Sequence, residues 1–156
     1  MRDQRFVAVH RGGLLTKNNH RELIGWARTC AEHVLQLIDK NIDKRLVHAL
    51  HVAQDWENEN VTVGEAMKAS AGAHAAAREF SDSTSIAVAR SVGHAVATAH
   101  MADHSLRAAL YALKAVKHAG GSVEKESKWQ RKQLQSCFAT GPSELVELIL
   151  TFISKE

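Results

Sequence analysis

Between positions 66 and 119 of this chain, 18 of 54 residues are alanine. Alanine has the highest helix propensity of all residues, and its single methyl group lets helix backbones approach closely. A chain that concentrates it in one stretch is committed to tightly packed helices. One proline and nine glycines in 156 residues leave little material for a turn-rich fold. The length suffices to bury a substantial core, and 45% hydrophobic with 24% charged residues is the balance of an ordinary globular protein. These features predict an all-α, compact single-domain bundle of six or seven helices with an alanine-rich central seam.

The chain divides into an irregular segment over 1–15, a helical domain over 16–140, and a C-terminal amphipathic helix over 141–156. The first long helix begins at Thr16 or Asn19, and Asn19 with Glu22 has capping-box spacing. Leu23, Trp26, Ala27, Cys30, Val34 and Leu37 then recur every three or four residues, which places them on one face. Asp43 is positioned to cap a second helix bearing Leu46, Ala49, Leu50, Ala53 and Trp56. Thr62 with Glu65 forms another capping box, opening a helix to about Phe80. A further helix follows the sequence SDS at 81–83. Run unbroken to Ala119, it would be about 54 Å long at roughly 1.5 Å per residue, too long for a small domain to pack. A break near Met101 to Asp103 is expected, with Asp103 as the new cap. Gly120 and Gly121 close that segment, and a more polar helix spans about 122–137. Pro142 suits a first helical turn. Leu145, Leu148, Ile149, Phe152 and Ile153 form the last apolar face, which packs on the same domain or makes a homo-oligomer contact.

The net charge of +3 is small, and the one local excess, Lys125, Lys128, Arg131 and Lys132, reads as a solvated helix face. No nucleic-acid partner is expected. No run approaches the roughly 18 apolar residues of a membrane helix, and the N-terminus lacks the apolar core of a signal peptide. A cytoplasmic protein with reduced thiols is expected: Cys30 falls on an apolar stripe, far in sequence from Cys137. Catalytic signatures such as H-E-x-x-H, G-x-S-x-G and phosphate-cradling glycine loops are absent. Cys30 and His33 have the spacing of a thiol and its base, but a core cysteine beside a surface or edge histidine is the favoured reading. No cofactor is expected, and enzymatic activity is unsupported.

The sequence GHAVATAHMADHS at 93–105 carries His94, His100 and His104 in surroundings of little other polarity. On one continuous helix His100 and His104 share a face, a spacing that can hold a metal with a third ligand from elsewhere, His74 or His118. His94 is excluded from such a same-helix site, lying about 9 Å along the axis from His100 and about 15 Å from His104. The alternative is that the imidazoles are hydrogen-bonded spacers in the seam. HRGG at 10–13 is a second signal. His10 and Arg11 beside paired glycines suit contact with an anion or acidic partner, or the glycines simply turn the chain into the first helix. His10, Arg11, His74, His94, His100 and His104 are the binding candidates. No metal is expected; were one bound, His74, His100 and His104 are the candidates to hold it.

Three segments taken together, HRGGLLTKNNHRELIGWARTCAEHVL (10–35), VGEAMKASAGAHAAARE (63–79) and VGHAVATAHMADHSLRAALYALKAV (92–116), resemble the immunity-protein-five-like domain of bacterial polymorphic toxin systems. The run from Gly93 to His100 is the most specific part. The chain departs from the pattern before its second helix, keeping Arg45 but no proline, and at ENEN (57–60) after its tryptophan. The resemblance implies a protein that binds and neutralises a cognate toxin without catalysis. A metal-dependent enzyme using His74, His100 and His104 is one alternative. The other is a structural or regulatory homo-oligomer joined through Leu145, Leu148, Ile149 and Phe152.

Overall fold

Side-chain caps set most of the helix starts. In the computed structural model, which describes residues 3–38, 41–138, 146–147 and 149–151, Thr16 Oγ1 accepts from the Asn19 amide and opens α1 (Lys17–Leu35). Asp43 caps α2 (Lys44–Glu57), Thr62 caps α3 (Val63–Glu79), Asp82 caps α4 (Ser83–Ala97) and Ser122 caps α6 (Val123–Cys137). Each satisfies an amide that the first helical turn would otherwise leave unpaired. The expected Asn19 and Glu22 box is not the start of α1; that role falls to Thr16. α5 (His104–His118) follows Asp103, whose side chain makes no capping bond to it. Two short 3-10 turns, Gln4–Phe6 and Val9–Arg11, precede α1. Among the described residues the fold is an all-α bundle, with Ala8 and Leu15 forming one isolated bridge.

α4 is the central helix. It packs against α1, α2, α3 and α5, and its buried residues surround the axis, including Ala87, Val88, Ser91, Val92, Ala95 and Val96. A helix apolar on all sides belongs in a core. The alanine seam lies here: Ala66, Ala73, Ala76, Ala89, Ala95 and Ala108 are each fully buried in one cluster with Ile24, Leu46 and Val92. Hydroxyls that enter the seam find backbone partners, Ser70 Oγ donating to the Gly93 carbonyl at 2.8 Å and Ser91 Oγ to that of Ala108 at 2.7 Å. A buried polar group without such a bond would cost stability.

A second apolar cluster joins Phe6, Leu15, Leu23, Trp26, Leu113 and Leu134. Ile149 belongs to it and is fully buried. Its side chain is enclosed by its own chain. Leu145, Leu148, Phe152, Ile153 and Pro142 lie outside the described residues.

The break between α4 and α5 comes earlier than the sequence predicts, at 98–103. Its cause is a distant side chain. His20 Nε2 donates to the Thr98 carbonyl at 2.6 Å, taking the acceptor that a continuing helix would offer to residue 102. Thr98 Oγ1 meanwhile donates back to the His94 carbonyl at 3.1 Å, a bond that also favours a bend.

Candidate functional site

The reversal at 98–103 assembles a cluster of imidazoles. His94 Nδ1 and His104 Nδ1 meet at 2.9 Å. The exclusion of His94 applies to one continuous helix; with the chain turned back, α5 returns His104 beside α4. His74, from α3, meets His94 edge-on with ring centroids 5.0 Å apart. Tyr111 stacks on His94 with ring centroids 5.4 Å apart, and Lys114 Nζ lies 4.8 Å from the tyrosine ring centre.

His74 is held from both sides. Arg90 Nη1 donates to its Nδ1 at 2.7 Å, so the ring is neutral with its proton on Nε2. The opposite edge presses on Gly93, where a Cβ would stand 2.6 Å from Nε2. Glycine is required there by close approach. Burial, then the charges of Arg90 and Arg78, push His74 down to about 4. Burial, with His74, His104, Arg107 and Arg90 nearby, pushes His94 down to about 3. Arg78, Arg90 and Arg107 stand close enough to these rings to oppose their protonation. The result is two imidazoles, His74 and His94, kept neutral beside three arginines.

His100 is not part of this cluster. It lines a cavity of about 720 Å³ between the N-terminal segment and the bundle. Phe6, Val7, Ala8, Val9 and Leu15 form one side, and Thr16, Lys17 and His20 of α1 another. Trp56, Val63 and the 99–102 connection complete it. HRGG is the turn that shapes this wall. Gly12 is left-handed, with φ 87°, and a Cβ on Gly13 would stand 2.1 Å from the Val7 carbonyl oxygen. The turn thereby carries His10 and Arg11 to the cavity, with Arg11 Nη1 3.5 Å from Met101 Sδ. The structure thus separates the binding candidates into two sets, His74, His94 and His104 in one and His10, Arg11 and His100 in the other.

The metal trio His74, His100 and His104 is not brought together, and among the described residues no three His, Cys, Asp or Glu side chains are placed to hold a metal. His118 stays exposed at the end of α5. Cys30 and His33 do not pair either. Cys30 is fully buried, which pushes its thiol up, and His33 Nδ1 lies 2.7 Å from Glu126 Oε2. The His33 ring also stacks on Trp129 at 3.6 Å, locking α1 to α6. Sequence reasoning missed Glu126, Trp129 and Tyr111. Only the i, i+3 spacing of Glu126 and Trp129, which puts them on one face of a polar helix, could have drawn notice.

Among the described residues no helix is long and apolar enough to cross a membrane. No curated protein and no solved structure matches the chain. A family model described as Imm-5 like putative immunity protein matches residues 13–137, a span that takes in α1 to α6 with His74, His94, His100 and His104 and begins just after His10 and Arg11. The chain therefore belongs to the Imm-5-like immunity protein family.

Proposed function

We propose that this protein neutralises a cognate bacterial toxin in the cytoplasm by direct, stoichiometric contact, using the cationic cluster formed by α3, α4 and α5 against an acidic surface of the toxin. Family membership supports the immunity role. The single observation that favours this face is the set of arginines Arg78, Arg90 and Arg107 close to His74 and His94, with Tyr111 stacked on His94. Arginine and tyrosine are the side chains that most often anchor protein interfaces, and complementary charge speeds and orients encounter. Helices joined through an alanine seam hold such groups rigidly, which lowers the entropy lost on binding.

The test is co-expression with the toxin domain encoded beside its gene. A complex of one chain with one toxin, and survival of the cells, are expected. Reversing two exposed charges, Arg107→Glu with Lys114→Glu, should weaken the complex by about tenfold or more while leaving thermal unfolding unchanged. Failure to protect against any neighbouring toxin domain would sink the immunity reading. Protection undiminished in the double variant would move the interface elsewhere.

A further inference from the structure

We propose that the cavity beneath the N-terminal segment binds an amphipathic carboxylate, an unbranched apolar chain with an anionic head of the medium-chain fatty-acid class. This site shares no residue with the cationic cluster and goes beyond the toxin reading. The cavity, at about 720 Å³, falls in the usual range of small-molecule pockets, about 300–1,000 Å³. Its body is apolar, walled by Phe6, Val7, Leu15, Trp56, Val63 and Met101. Such walls cannot satisfy the polar edges of a nucleotide or sugar, whose burial there would be costly.

The formal charges on the walls, Arg11 and Lys17, are both positive. Arg11, His10 and His100 line the cavity, and no Asp or Glu does among the described residues. Lys17 is neutralised by Glu59 at 2.5 Å, and His20 is occupied by the Thr98 carbonyl. Arg11 contacts only the Met101 sulfur among the described residues, a weak acceptor that leaves the guanidinium without a matching anion. Guanidinium and carboxylate form parallel paired hydrogen bonds. An apolar container with one uncompensated guanidinium at its wall is complementary to a molecule with an apolar body and a single carboxylate.

Isothermal titration of the full, tag-free chain tests this with decanoate, held below its self-association concentration, and with decyltrimethylammonium, which has the same chain and the opposite charge. One decanoate per chain is expected, bound at least about tenfold tighter than the ammonium compound. Arg11→Ala should weaken decanoate about fivefold or more with the melting temperature unchanged, and Arg11→Lys should restore part of the affinity. Val63→Trp, at the partly exposed start of α3, should fill the cavity and abolish binding of both, its fold checked by circular dichroism. Absence of saturable decanoate binding, equal affinity for the two heads, or decanoate binding unaffected by folded Val63→Trp overturns the proposal. No toxin enters the experiment, so its outcome is independent of the immunity reading.

Discussion

His94 Nδ1 and His104 Nδ1 stand 2.9 Å apart across the turn that separates α4 from α5. One of the two nitrogens carries the shared proton and the other receives it. Protonating both would oppose two N–H groups within a cluster already surrounded by Arg78, Arg90 and Arg107.

Stability is therefore expected to fall as pH drops. His74 is held at about 4 and His94 at about 3, mainly by burial, and burial also lowers His20. In the unfolded chain all three return to about 6.5. Above that value neither state is protonated at these sites, and their contribution is complete. Below it the unfolded chain takes up protons that the folded chain refuses, so stability is lost progressively from about pH 6.5 to about pH 3, the His74 share ending near pH 4. Thermal melts over this window should show the decline, with a shallower slope in His94→Gln. An unchanged slope in that variant would rule out His94 as a source.

Gly93→Ala should destabilise the fold by about 1–3 kcal/mol, the usual cost of forcing extra volume into a packed site. The new methyl would meet the His74 ring at 2.6 Å, and Arg90 holds that ring from its other edge. Denaturant unfolding measures the loss. Adding His74→Ala should recover part of it, because the two sites are in contact.

Trp26→Phe should cost about 2 kcal/mol through lost volume and one lost hydrogen bond. Trp26 is fully buried, and its Nε1 donates to the Gln130 carbonyl at 3.0 Å, tying α1 to α6. Gln130 in turn donates from Nε2 to the Ala109 carbonyl at 3.0 Å. Urea unfolding with no loss of midpoint would remove this connection from the stabilising set.

The native protein should react with a thiol reagent at Cys137 before Cys30. Burial pushes both thiols up, but Cys30 is completely enclosed whereas Cys137 is half-buried. Labelling at neutral pH should be slow, and Cys137→Ser should remove nearly all of it. Rapid labelling in Cys137→Ser would mean that Cys30 is exposed by opening of the core.

What the sequence disclosed was mostly local. Asp43, Thr62 and Gly120 act within a few residues of themselves, and the capping roles of Asp43 and Thr62 are those their spacing predicts. The alanine density likewise leads directly to an all-α bundle. The start of the α4–α5 break was misplaced because His20, 78 residues away, determines it. The expected break already removes the same-face pairing of His100 with His104, but only the path of the reversed chain brings His104 to His94. Gln130 and Glu126 were hidden by the polarity of α6; their burial depends on partners in α1 and α5.

The hydrogen bond from His20 to Thr98 also carries a lesson about cooperativity. A fragment covering 63–119 would retain every ring and guanidinium of the cluster, yet it would lack the donor that stops α4. Such a fragment is free to extend its helix through the turn and carry His104 away from His94. The imidazole contact is thus a reporter of global folding: although its two residues are near neighbours in sequence, their meeting is licensed by the first helix.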